Sequence, residues 1–376
     1  MHNDLVDETG VKAGERVLLY LHGGAYMVMS PASHRHVVMR FSRLLNARAL
    51  SLDYRLAPES PFPLALMDVV STILYLVEEL HVEPSNIVIA GDSAGGGLSM
   101  ATMLYLAEHG MPQVGGAILL SPYVDGTSSL RSWEENSAYD YLPCSPLVTP
   151  ESPASPFDPM SLYLTPQRYW DLVQHPYVSP SFCAPLELLA KLPPTLVNCG
   201  ALEVLRDECV LLAARMRLAK KTHQKPLSDV CAEVWDGGIH VGVAFDVWQG
   251  SHEAFDAFEG WSVDHLPDLV SSASWHSVDE TFSATWREAR ARYVDKLQKM
   301  AESSWLPRLT PSLRAPSPSP LFEAQQVSVG TLEARKGAPT AMKEALEQVQ
   351  DDGDEWVTFW RYKEQSWLAW LFGAKL

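Results

Sequence analysis

The stretch Ile87-Val88-Ile89-Ala90-Gly91-Asp92-Ser93-Ala94-Gly95-Gly96-Gly97 constrains this chain more than any other. Its β-branched apolar run reads as a buried strand, and Leu98 to Glu108 continues at helical period. Between them, Gly91-x-Ser93-x-Gly95 must reverse the chain sharply. The glycines are needed because such a turn presses strand and helix backbones together, and it forces the serine into a strained conformation that exposes its hydroxyl. A strand, an exposed serine and a helix in this order form a nucleophile elbow. It is meaningful only if a base, an acid and an oxyanion hole exist elsewhere in the chain.

Upstream, Arg16 to Leu21 is a short apolar run that empties into His22-Gly23-Gly24-Ala25-Tyr26. A strand ending in consecutive glycines leaves N–H groups unpaired and open to close approach, which is what an oxyanion hole requires. Gly23, Gly24 and Ala94, the residue after the nucleophile, are the expected donors. His22 is expected to hold the glycine loop by hydrogen bonds rather than to act as a base.

Strands read over 47–52, 114–120, 195–200 and 231–235 alternate with helices over 34–45, 64–80 and 206–218. This alternation predicts an α/β fold with a mostly parallel sheet and helices on both faces, the ligand lying at the carboxyl ends of the strands. Residues 121–192 lose periodicity and are rich in proline and aromatics, so they are read as a lid or pocket wall.

A helix is expected over Asp279 to Met300, and the Pro/Ser-rich stretch 306–320 reads as a linker closing a catalytic domain over 1–305. In the remaining 321–376 tail, Trp356, Trp360, Trp367, Trp370 and Leu371 fall on one arc if 355–372 is helical. Such a stripe would dock over apolar surface near the pocket or touch a membrane surface.

The net charge of -17, with no Lys/Arg cluster, argues against a nucleic-acid partner. Cys144, Cys183, Cys199, Cys209 and Cys231 have no CxxC or metal spacing and read as buried thiols. The acidic start and the lack of any run of about 20 apolar residues lead to the expectation of a cytoplasmic protein without a membrane span.

The base for Ser93 is sought among 12 histidines. His34, His36, His81, His109 and His223 lie on helices or polar loops and read as solvated. His240 alone follows a strand end and a glycine turn, Asp236-Gly237-Gly238-Ile239-His240, C-terminal to the other strands. The order Ser, acid, His places the acid between Ser93 and His240. Glu203 comes first after strand 195–200. Asp207 is the second candidate, although it sits with Glu208 in a helix's first turn, where negative charge is favoured in any case; Asp236 is the third.

Several ordered segments together resemble the hormone-sensitive-lipase family of α/β-hydrolases, which includes many carboxylesterases and deacetylases. They are His22-Gly23-Gly24-Ala25-Tyr26, Asp53-Tyr54-Arg55-Leu56-Ala57-Pro58-Glu59 with Phe62-Pro63, Gly91-Asp92-Ser93-Ala94-Gly95-Gly96, Ser121-Pro122-Tyr123-Val124-Asp125, Tyr177-Val178-Ser179-Pro180 and Leu205-Arg206-Asp207-Glu208. The resemblance implies Ser93 as nucleophile with Asp92 in support, His240 as base, Glu203 where Asp is usual, and Gly23, Gly24 and Ala94 as oxyanion donors. It departs from the pattern at His240-Val241-Gly242, where the family usually has His-Gly-Phe. It also implies leading strands and cap helices that about fifteen residues cannot supply, so the sheet is expected to be short at one edge, with half the roof missing.

These readings lead to a serine carboxylesterase acting on small-acyl, acetyl-type esters of a hydrophobic alcohol, with no metal or organic cofactor. A small-molecule-binding protein on the same scaffold, and acyl transfer by the same residues, are the alternatives.

Overall fold

Aliphatic runs with no polar alternation need apolar cover on both faces. In the computed structural model, which describes residues 14–143, 158–244, 250–267, 322–349 and 354–362, such runs form the middle of the sheet. Strand β1 (Arg16–Leu21) is followed by β2 (Ala47–Leu52), β3 (Ile87–Asp92), β4 (Gly116–Leu120), β5 (Thr195–Gly200) and β6 (Val230–Trp235). Two further strands, β7 (Phe322–Val327) and β8 (Val357–Tyr362), complete an eight-stranded sheet in the order β2-β1-β3-β4-β5-β6-β8-β7. All neighbours pair in parallel except β7 and β8, which are antiparallel.

Alternate residues of one strand enter different cores, as the period of two demands. Leu19, Leu21, Ile87 and Ile89 face one side, where α2 (Leu64–Leu74), α3 (Ala94–Glu108) and the helix Arg206–Thr222 pack. Leu18, Tyr20, Val88 and Ala90 face the other, against α1 (Arg35–Leu44) and the helix Ser251–His265. The sequence pattern left that last helix unread. The helix expected over 64–80 is α2 followed by a wider π-type turn over Tyr75–Glu79.

The expected α/β-hydrolase arrangement is present, with β2 as the outer strand on one side among the described residues. Between β4 and β5 the described part of the 121–192 segment holds only short helices, Ser132–Glu135, Pro159–Leu164, Tyr169–Leu172, Pro180–Cys183 and Leu186–Leu189.

The far edge corrects the reading of the tail. The stretch expected as part of a helix over 355–372 is strand β8 over Val357–Tyr362, paired with β6 from Ala232↔Val357 to Trp235↔Trp360. Trp360 stacks on Trp235 at 4.7 Å and 11°, and the Arg217 guanidinium lies 5.0 Å from the Trp356 ring. Residues 329–338 cross beneath the lid segment, where Arg335 N–H donates to Ser129 O at 2.8 Å and Arg131 N–H to Glu333 O at 3.0 Å. A helix, Thr340–Val349, covers the helices Pro180–Cys183 and Arg206–Thr222. The chain beyond the expected linker thus extends the sheet and braces the lid segment. The expected helix 279–300, the linker 306–320, the boundary at 305, and Trp367, Trp370 and Leu371 lie outside the described residues. No described helix is long and apolar enough to cross a membrane.

Candidate active site

Ser93 connects β3 to α3 with φ 53 and ψ -121, a conformation that a residue bearing Cβ adopts only under constraint. The constraint is visible. A Cβ on Gly91 would stand 2.5 Å from Gly95 O, and one on Gly95 would overlap Leu21 O. Ser93 is held from both sides, its N–H donating to Leu120 O at 2.9 Å and its carbonyl accepting from Tyr123 N–H at 2.9 Å and Gly97 N–H at 3.0 Å.

His240 and Glu203 are brought together by the ends of β5 and β6. A Cβ on Gly200 would clash with the Gly238 carbonyl, so the two turns can touch only because glycine stands there. Leu202 N–H then donates to Gly238 O and Ala201 N–H to Trp235 O, each at 2.8 Å. Glu203 Oε2 lies 3.8 Å from His240 Nδ1, and both side chains are buried, 0% and 2% exposed. At that length the contact is not a hydrogen bond, and Nδ1 has no hydrogen-bond partner among the described residues. Catalytic hydrogen bonds commonly tighten only when substrate binds.

The carboxylate of the second candidate acid has another duty. Asp207 accepts from Ser132 N–H at 3.0 Å and from Arg206 Nε at 2.8 Å. The backbone N–H of Asp236, the third candidate, donates to Trp360 O at 2.9 Å.

Ser121 joins the two. Its hydroxyl donates to Glu203 Oε2 at 2.6 Å and accepts from Val241 N–H at 3.0 Å, which fixes the carboxylate against the histidine loop. The usable signal was its position, directly after β4 at the sheet's carboxyl edge. Cys209 Sγ approaches the other oxygen, Oε1, at 3.9 Å, and burial pushes that thiol well up, so it remains a protonated donor. Val241, where the family pattern leads one to expect glycine, adopts φ 52, a strained value for a β-branched side chain.

The glycine loop is built as expected in one respect and differently in another. His22 Nδ1 bonds Gly23 O at 2.7 Å, the His22 ring stacks on Tyr54 at 4.4 Å, and Tyr54 Oη donates to His22 O at 2.6 Å. Burial lowers the His22 pKa, which keeps the ring neutral in this holding role. Gly23, expected as an oxyanion donor, instead gives its N–H to Asp92 Oδ1 at 3.1 Å. A donor already bonded to a buried carboxylate is not free to meet a developing alkoxide. The amides of Gly24, Ala25 and Ala94 have no such acceptor among the described residues.

Asp92 is the hub of this arrangement. Tyr20 Oη donates to its Oδ1 at 2.7 Å, and His34 Nε2 lies 3.2 Å from its Oδ2. Burial alone would raise its pKa, but the hydrogen bond and charge of His34, then Tyr20 and His240, hold it below the ordinary carboxylate value. His34, read from sequence as solvated, is buried. Burial lowers its pKa, yet the Asp92 bond and charge outweigh that and leave it raised. No local pattern marked it, since its partner is 58 residues away.

A family model described as the alpha/beta hydrolase fold matches residues 18–241. The chain belongs to the α/β-hydrolases. The acetyl-hydrolase of Streptomyces hygroscopicus is 33% identical over 228 residues, covering 60% of this chain and 68% of that protein. The carboxylesterase/phospholipase LipF of Mycobacterium tuberculosis is 30% identical over 243 residues, and this chain spans 59% of its length. Among solved structures, EstE7, a hormone-sensitive-lipase homologue from a metagenome library, is 30% identical with a TM-score of 0.57, covering 69% of this chain and 81% of that one. The resemblance carried by the motifs therefore holds, and the α/β-hydrolase belongs with the serine ester hydrolases of the hormone-sensitive-lipase family.

Proposed function

We propose that this α/β-hydrolase is a carboxylesterase that cleaves short-acyl esters of a hydrophobic alcohol through Ser93, His240 and Glu203. The observation that carries the reading is the buried approach of Glu203 to His240, fixed by Ser121, at the same sheet edge as the strained Ser93. His240 Nε2 takes the Ser93 hydroxyl proton as Oγ bonds the ester carbonyl carbon. Glu203 keeps Nδ1–H facing the carboxylate and stabilises the imidazolium. The alkoxide is received by the amides of Gly24, Ala25 and Ala94, Ala25 replacing the committed Gly23. Collapse breaks the bond to the alcohol, which leaves with the proton from His240. Water repeats the sequence in reverse and frees the acid.

A short acyl group is supported by the aromatic packing around the glycine loop. Tyr26 stacks on Tyr163 of the lid segment at 3.9 Å, with Phe62 edge-on to Tyr163 at 5.7 Å. The Streptomyces relative is named for acetyl hydrolysis. The test is a p-nitrophenyl ester series of increasing acyl length. The reading expects kcat/KM to peak at acetate to butyrate and to vanish in Ser93→Ala; a Ser93→Ala enzyme with wild-type turnover contradicts it.

A further inference from the structure

The sequence shows no metal-binding spacing, yet among the described residues the fold assembles one set of soft and hard ligands. Cys199 is the penultimate residue of β5, Cys209 lies in the first turns of the helix that follows, and Glu203 is on the turn between them. One donor atom from each, two thiol sulfurs and a carboxylate oxygen, lies within 4.8 Å of the others, and all three residues are buried. Cys209 Sγ stands 3.9 Å from Glu203 Oε1. Around a tetrahedral zinc ion, with metal–sulfur bonds near 2.3 Å, neighbouring ligand atoms are roughly 3.6–3.8 Å apart. Glu203 Oε1 and Cys209 Sγ are close to that spacing and the set as a whole lies within 4.8 Å, so an ion would draw the three atoms slightly together. Paired thiols with a carboxylate select thiophilic ions over magnesium or calcium.

The second observation is at the other oxygen of the same carboxylate. His240 Nδ1 lies 3.8 Å from Oε2, is buried, and has no hydrogen-bond partner among the described residues. Glu203 thus stands between an imidazole it must orient and two thiols that can claim it.

We propose that Cys199, Glu203 and Cys209 form a binding site for a thiophilic divalent cation of the zinc class, whose occupation draws Glu203 away from His240 and stops ester hydrolysis. The regulatory half rests on the reading of Glu203 as the orienting carboxylate. Binding releases one proton from each thiol to solvent and forms two metal–sulfur bonds and one metal–oxygen bond, with no change in oxidation state. Because the donors are buried, association is slow and inhibition builds up on preincubation.

The experiment uses the full chain, stripped with a chelator and kept reduced with a phosphine. Cobalt(II) and zinc are added separately, with p-nitrophenyl acetate turnover followed after preincubation. The proposal expects a stoichiometric cobalt–thiolate charge-transfer band in the near ultraviolet. It also expects loss of turnover with zinc, reversed by chelator. Cys199→Ser is compared with its own metal-free rate, and should need about 10- to 100-fold more zinc for the same fractional inhibition. Absence of the cobalt–thiolate band, or equal zinc sensitivity in Cys199→Ser, overturns the site. A stoichiometric band without inhibition leaves the site standing and overturns the role given to Glu203. Metal-free turnover of Glu203→Gln then checks that role independently.

Discussion

The middle of the sheet and its far edge solve different problems with different amounts of local information. Around β3, backbone segments approach so closely that Gly91 and Gly95 admit no Cβ, and Ser93 is held at φ 53. At the far edge, β8 joins β6 through a ladder and a Trp235–Trp360 stack at 4.7 Å, contacts that tolerate many residues. Tight backbone approach leaves a fixed residue pattern, whereas side-chain packing leaves only a composition. The first region carries the chemistry. The second closes the sheet and braces the lid segment through Arg335 and Glu333.

The comparison breaks if the chemistry does not collapse on single changes at the elbow edge. Ser93→Ala is expected to lower kcat/KM by about 10^5- to 10^6-fold, by analogy with loss of a triad serine. Thermal unfolding of the same variant should be unchanged, since alanine also bears a Cβ and keeps the strained backbone at φ 53. Next in size, Glu203→Gln should cost about 10^4-fold in kcat, while Asp207→Asn, whose carboxylate serves Ser132 and Arg206, should lose stability rather than the chemical step. Steady-state kinetics beside a melting curve separates the two. Equal kinetic losses would return Asp207 to the role of acid.

At the other edge the expected effects are on stability. Trp360→Ala should cost roughly 3 kcal/mol, read by denaturant unfolding, with kcat per folded molecule retained. A large fall in kcat without a stability change would make the far edge part of the chemistry, through Trp235 and the Asp236 turn that leads to His240.

The smallest effect is a pH dependence. Glu233 is buried on β6, taking Asn198 Nδ2 at 3.2 Å and Trp235 Nε1 at 3.4 Å, and burial pushes its pKa up to about 7 from 4.5. Between those values the unfolded chain has released the proton that the folded chain retains. Stability from this group therefore falls as pH rises from 4.5 to about 7 and is flat above. Glu233→Gln should remove that slope and raise stability near pH 8. Melting curves across pH for both proteins check it.

The same contrast explains what could be read from the chain. The elbow, the glycine loop and the strands feeding them were legible because each is set by neighbours within a few residues. His34, Ser121 and the Gly23 amide were not, because their duties depend on partners 58, 82 and 69 residues away that only the sheet brings near. The tail misled for another reason. Trp356 and Trp360 are four apart, and that spacing shares a face in a helix and in a strand alike. The β-branched and aromatic run Val357-Thr358-Phe359-Trp360 favours the strand, which the pairing with β6 selects.

Ester hydrolysis by Ser93, His240 and Glu203 requires that Ser93 be the residue that becomes acylated. Peptide mapping by mass spectrometry after reaction with a fluorophosphonate tests this directly. A single adduct on the peptide containing Ser93, formed slowly or not at all in Glu203→Gln, is the predicted result. An unlabelled protein, or an adduct on any other serine, would contradict it.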